Sequence, residues 1–227
     1  MQKFKCFIGP QGGGKDYQCD KLALEGYRKV SFADGIRELA WYILDWKPKN
    51  EQEYREFKET ALSLFSTLNK LTWNSTHKRY LYFKLGKIAK ELDIQLSLDE
   101  ILEILYTQKE LKITGREFLQ RLGTDLIRNH VDDLYWTKET LLRIYNTKFV
   151  EKFKVCIADT RHLAEIEALL NYEEVEFIWC NYHNTKPTDN HSSEEIVNFL
   201  ATKEFKHLQP IENMKGLIDE FKQIKQR

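Results

Sequence analysis

The segment Gly9-Pro10-Gln11-Gly12-Gly13-Gly14-Lys15-Asp16 has the residue types needed to hold an oxyanion. Glycines let backbone amides turn inward, a lysine supplies positive charge, and a helix opening directly behind them adds its dipole. The spacing matches the first seven positions of the Walker A phosphate-binding pattern. An apolar run, KFKCFI at residues 3–8, precedes it, and a helix is predicted from about Gly14 to Glu25, the strand–loop–helix context that the pattern requires. The eighth position departs from the pattern, with Asp16 where a Ser or Thr hydroxyl usually ligates magnesium. A carboxylate is also a hard oxygen ligand. It equally favours a first helical turn, and a third reading is a cradle that binds nucleotide without turning it over. The motif alone leaves all three open.

Phosphoryl transfer depends on positioning two substrates and neutralising oxygen charge, so carboxylates and arginines should gather near such a cradle. Asp159 ends the apolar run Val155-Cys156-Ile157-Ala158, at the strand edge where parallel sheets bind ligands. It either orients a metal or acceptor group or caps the helix predicted from Arg161. Arg161 follows within reach of the same edge. Arg37 is predicted on the helix after the second strand. Arg116 and Gln120 lie one turn apart on another helix, hence on one face, with Gly123-Thr124 following. That face suits a phosphate on the arginine and a sugar or base on the amide. Trp136 either stacks on a base or, beside Leu134 and Tyr135, fills core. His183 and His191 lack the short regular spacing of a metal site.

Alternating strands and helices must position these residues. Strands are predicted at residues 3–8, 28–33, 153–158 and 175–180, and weakly at 205–211, with helices between them. Strands apolar throughout imply a parallel sheet buried on both faces. The expectation is an α/β P-loop kinase fold: a five-stranded parallel sheet flanked by helices, a large helical insertion and a small lid. Residues 1–33 and 150–227 form the core, with the lid loop at about 181–192, and 34–149 form the insertion. Within it, residues 51–68 and 76–92 are amphipathic. Ser97-Leu98-Asp99-Glu100 and Thr114-Gly115-Arg116-Glu117 have the form of capping boxes.

Composition excludes several classes. Lys plus Arg equals Asp plus Glu at 35 each, so no global field draws the chain to polymeric nucleic acid or anionic membrane. No apolar run reaches membrane-spanning length and the N-terminus reads as a strand, not a signal peptide, so a cytoplasmic chain is expected. The four cysteines show no metal or redox spacing and read as buried structural thiols.

In these residues the chain resembles bacteriophage-type deoxynucleoside monophosphate kinases. That family also carries aspartate after the cradle lysine, as in Gly14-Lys15-Asp16. The segment Ala33-Asp34-Gly35-Ile36-Arg37 matches the family's stretch after the second strand. The closest match is REFLQRLGTDLIRNHVDDLYW, Arg116 to Trp136, against R-x-x-x-Q-x-x-G-T-D-x-I with a terminal Tyr-Trp. Asp159-Thr160-Arg161 with Glu165 matches D-T-R-x-x-x-E, and His191 with Glu194 an H-x-x-E. The stretch 46–112 aligns with nothing specific. The loop 181–190 has no arginine, which leaves Arg161, Arg128 or Lys186 to serve the transferred phosphoryl group.

The resemblance implies transfer of the ATP γ-phosphate to a deoxynucleoside monophosphate. Gly12, Gly13, Gly14, Lys15, Asp16 and Tyr17 would bind ATP, with Asp16 toward Mg2+. Gln11, Ile36, Arg37, Arg116, Gln120, Gly123, Thr124, Trp136 and Asp159 would surround the acceptor, and Lys15, Arg161 and Asp159 would carry catalysis. A bacteriophage chain would work in its host's cytoplasm, and the reading leaves room for a homodimer. The alternatives are a P-loop kinase for another small phosphorylated acceptor, such as phosphomevalonate, and a non-catalytic nucleotide-binding module.

Overall fold

The apolar hexapeptide Lys3–Ile8 becomes the central strand, β1, of a five-stranded sheet. The computed structural model describes residues 3–63, 75–106, 112–145, 154–172, 174–182 and 195–226. Strand β2 (Tyr27–Val30) pairs parallel with β5 (Lys154–Ile157), β5 with β1, and β1 with β6 (Val175–Trp179). The two-residue strand β7 (Gln209–Pro210) completes the order β2-β5-β1-β6-β7. Alternate residues serve opposite faces, as the twofold strand period demands. Phe4, Cys6 and Ile8 join Val155, Ile157, Phe177 and Trp179 in one apolar cluster, while Phe7, Cys156, Ile178 and Cys180 join Cys19 in another. Each fully buried Phe or Ile contributes on the order of 1.5–3 kcal/mol. All four cysteines are buried and free.

One strand departs from the expected all-parallel sheet: β7 runs antiparallel to β6. Leu208, in a left-handed conformation (φ 59), donates its amide to the Trp179 carbonyl, so β7 starts beside the end of β6 and runs back along it. Pro210 has no amide to give a further neighbour, which suits an edge.

Helices α1 (Lys15–Leu24), α8 (Leu163–Leu169), α9 (Glu195–Ala201) and α10 (Met214–Lys225) belong to the same compact unit, made of residues 1–32 and 137–227. The expected lid at about 181–192 lies outside the described residues except for Asn181 and Tyr182, as do His183, Lys186, His191 and Glu194.

Residues 33–136 form a second unit. Its helices are α2 (Ala33–Leu44), α3 (Glu51–Glu59), α4 (Ser75–Glu91), α5 (Leu98–Tyr106) and α6 (Gly115–Gln120), with α7 (Tyr135–Tyr145) starting at its end. Both capping boxes form: Glu100 accepts from the Ser97 amide at 2.7 Å and Glu117 from the Thr114 amide at 2.6 Å. Two features were not expected. Helix α3 stops at Glu59, where the Thr60 hydroxyl donates to the Glu56 carbonyl, and β3 (Ala61–Ser63) then pairs antiparallel with β4 (Lys112–Thr114). In addition, α6 runs on as a π-helical segment, Arg121–Arg128.

Candidate active site

The cradle lies between β1 and α1, against the end of β6. A Cβ on Gly13 would sit 2.4 Å from the Cys180 carbonyl oxygen, and one on Gly9 only 2.0 Å from it, so no side chain fits at either place. Gly14 caps α1 in a left-handed conformation (φ 90) that side chains resist. Three carbonyls of the loop, those of Gly9, Pro10 and Gly13, are engaged from within the protein. Lys15 Nζ donates to those of Gly9 (2.5 Å) and Pro10 (2.7 Å). The Gly13 carbonyl accepts from Cys180 Sγ and from the Tyr182 amide, each at 3.1 Å. Burial pushes the Cys180 thiol up to about 11, against the pull of Lys15, so it keeps the proton it donates. The Gly9, Pro10 and Gly13 carbonyls are thus taken up within the protein, and the positive end of α1 opens directly behind them. That polarity suits an anion.

Asp16 and Asp20, one turn apart on α1, both pair with Lys29 of β2, at 3.1 and 2.8 Å. Burial works against the Lys29 charge, but the hydrogen bonds to Asp20 and Asp16 outweigh it and raise its pKa. The Asp16 side chain is 81% exposed. Tyr17 is exposed with Lys21 over its ring, and Gln11 and Gly12 are exposed as well.

At the carboxyl end of the β2–β5 pair, Asp159 accepts from the Ser31 hydroxyl (2.6 Å) and the Phe32 amide (3.0 Å). It therefore joins the carboxyl ends of two adjacent strands. Buried Glu165 accepts from the amides of Arg161 (3.0 Å) and His162 (3.1 Å), fixing the turn on which half-buried Arg161 is carried. Sequence reasoning gave Ser31 no role and Glu165 only a motif match. A Glu within the first turn of a predicted helix was the available signal.

In the helical unit, Arg37 pairs with Asp34 (2.5 Å) and lies 3.5 Å from the Tyr54 hydroxyl. Arg116 pairs with Glu59 at 2.6 Å. Gly123 packs on Ile36: a Cβ there would lie 2.7 Å from Ile36 Cδ1. The Gly123 carbonyl accepts from the indole of Trp136, which is 2% exposed. Ile36, Gly123 and Trp136 are thus brought together by packing, and Gln120 and Thr124 are half-buried near them in the chain. Gly123 and Thr124 lie in the π-helical segment, a geometry frequent at functional sites. Arg128 is buried and donates to the Asp133 carbonyl at 2.7 Å.

Among the described residues no three His, Cys, Asp or Glu side chains cluster as a metal cage, and no helix is long and apolar enough to cross a membrane. A five-stranded sheet flanked by helices, with a glycine cradle closing its first strand, defines the P-loop kinase fold. The family model for deoxynucleotide monophosphate kinase matches residues 48–205, more than half of the chain. The chain belongs to that family, and so is a phosphotransferase acting on deoxynucleotide monophosphates. No curated protein matches the sequence. The matched span takes in Arg116 to Trp136 and Asp159 to Glu165 and starts beyond the cradle, which stands on its own sequence and geometry.

Proposed function

We propose that the chain transfers the γ-phosphoryl group of ATP in line to the phosphate of a deoxynucleoside monophosphate, giving ADP and the deoxynucleoside diphosphate. An acceptor phosphate oxygen forms the new bond to the γ-phosphorus, and the bond to the β–γ bridging oxygen breaks with its electron pair leaving on ADP. The observation that carries this reading is the polarity of the cradle, its carbonyls held by Lys15, Cys180 and Tyr182. Gly12 to Tyr17 bind the ATP phosphates with amides and charge, and Lys15 exchanges its loop carbonyls for phosphate oxygens. Arg161, on the turn fixed by Glu165, offsets charge on the transferred group. Asp159 holds the edge at which this happens. Arg37 and Arg116, with Ile36, Gln120, Gly123 and Thr124, contact the acceptor, and Trp136 supports Gly123 from behind. The acceptor oxygen is already anionic, so alignment and charge cancellation carry the rate without a strong general base.

Magnesium carried by nucleotide phosphates needs only one or two protein carboxylates. The exposed Asp16 carboxylate in the first turn of α1 fits that requirement and would hold the ion, which supplies charge neutralisation on the phosphates. The reaction is placed in the cytoplasm, with free nucleotides rather than polymeric nucleic acid as partners.

A coupled assay of ADP release over a panel of deoxynucleoside and nucleoside monophosphates tests the reading. Release with at least one deoxynucleoside monophosphate, lost in Lys15→Met, is expected. ATP binding with no transfer to any monophosphate in magnesium would overturn it.

A further inference from the structure

The chain leaving β6 is tied to the cradle by its backbone. The Tyr182 amide donates to the Gly13 carbonyl at 3.1 Å, and a Cβ on Gly14 would lie 3.7 Å from Tyr182 Cβ. Tyr182 therefore starts its side chain beside the phosphate loop, and it is 68% exposed. The half-buried His207 stands against its ring, the two centroids 5.4 Å apart and the planes at 74°, edge to face. The reversed direction of β7 brings His207 to this place. Its neighbour Leu208 donates to the Trp179 carbonyl at the end of β6, so the residues just before β7 sit at the carboxyl edge of the sheet. Had β7 run parallel to β6, the residues leading into it would lie at the opposite edge, away from the side where parallel sheets bind ligands.

A nucleotide whose phosphates lie in the cradle carries a flat base one sugar away from them. Such a base is held by an aromatic ring without any match of donors and acceptors, because every base has a π-face. An exposed ring next to the phosphates, with a second ring bracing it, meets that need. Tyr17, the other exposed ring at the cradle, has the Lys21 ammonium over it at 4.9 Å.

We propose that Tyr182 is the stacking platform for the base of the donor nucleotide, and that His207 is the positioning residue that holds its ring. This rests on the reading of the cradle as the ATP phosphate site, and it supplies a contact for the other end of that nucleotide. The antiparallel β7 thereby gains a purpose: it turns the residues before it toward the donor.

Titrations of the full chain with ATP and with inorganic tripolyphosphate, which has no base, test this in the presence of magnesium. Tyr182→Ala is expected to weaken ATP about tenfold and to leave tripolyphosphate unchanged. Its tie to Gly13 runs through the backbone amide, so the truncation keeps it. Tyr182→Phe, which keeps the ring, binds ATP like the wild type. His207→Ala weakens ATP about threefold and also spares tripolyphosphate. If the two rings only supported the cradle, the Ala variants would weaken both ligands together, and that result would overturn the proposal. Lys15→Met separates the two levels of inference. If it leaves ATP binding unchanged, the reading of the cradle fails and the stacking platform falls with it. If Lys15→Met weakens both ligands while Tyr182→Ala weakens neither, the stacking platform alone is overturned.

Discussion

The carboxylate of Asp159 accepts the Ser31 hydroxyl at 2.6 Å, joining the carboxyl ends of β2 and β5. Its second oxygen accepts the Phe32 amide at 3.0 Å. Hydrogen bonds to a charged group contribute about 1.5–3 kcal/mol, and removing the acceptor leaves its donors to find others. Ser31→Ala is therefore expected to cost about 1–2 kcal/mol in urea denaturation, and Asp159→Ala more, because it abandons both donors. Equal midpoints for Asp159→Ala and wild type would contradict the clamp.

Gly13 and Gly12 make a matched pair of tests. A Cβ at Gly13 meets a backbone oxygen at 2.4 Å, and backbone cannot swing aside. At Gly12 a Cβ meets nothing within 4 Å, but the backbone is left-handed (φ 75). Gly13→Ala is expected to cost about 1–3 kcal/mol or more and to abolish ATP binding by moving the cradle off β6. Gly12→Ala should cost about 1 kcal/mol, the strain of a side chain in that conformation, and weaken ATP binding less. Denaturation curves and ATP titrations of the two variants decide; an indistinguishable pair would mean that the contact with Cys180 does not shape the loop.

The cradle and the sheet were legible because their physics is local in the chain. An apolar run, four glycines and a lysine state both a strand and the loop that closes it in a dozen residues, and two capping boxes mark helix starts by hydrogen-bond chemistry alone. The antiparallel β7 was not legible, since two residues carry no alternation to read and its direction is set by the turn at Leu208. Nor was the pairing of β3 with β4, three residues each and about fifty apart in sequence, where long-range contact overrides local pattern. Arg37 and Arg116 were visible as charges, but their partners Tyr54 and Glu59 come from a helix whose pattern says only that one face is apolar. Trp136 shows the same limit: its neighbours Leu134 and Tyr135 favoured core over a base stack, but only the structure shows its indole donating to the Gly123 carbonyl, out of solvent.

Acid should reveal the Thr114 capping box. The Thr114 amide at 2.6 Å is the largest cause holding the Glu117 carboxyl below its ordinary range, with the Thr114 hydroxyl and Arg121 helping. A depressed carboxylate pKa gives stability that is present above the unfolded value and lost as pH falls through the folded one. The wild type should therefore lose stability below about pH 4, and Glu117→Gln, which cannot titrate, should lose less over the same interval. Urea midpoints at neutral and acid pH measure the difference, and parallel losses in the two proteins would remove Glu117 from the account.

The pair of Asp16 with Lys29 at 3.1 Å leaves its carboxylate two roles, a surface tie and a ligand for nucleotide-borne magnesium, and the two predict different things. Exposed ion pairs contribute about 0–1 kcal/mol, so Lys29→Met and Asp16→Asn should each change stability little. Their kinetics should part. If Asp16 serves only Lys29, both variants behave alike and keep the wild-type dependence on magnesium. If Asp16 also holds the ion, Asp16→Asn needs about tenfold more magnesium for half-maximal rate while Lys29→Met needs no more than wild type. We expect the second outcome. A full turn separates Asp16 from Asp20, and Asp20 lies closer to Lys29, at 2.8 Å, so the lysine keeps a partner when Asp16 turns to the phosphates. Magnesium titrations of the three proteins at fixed ATP make the distinction directly.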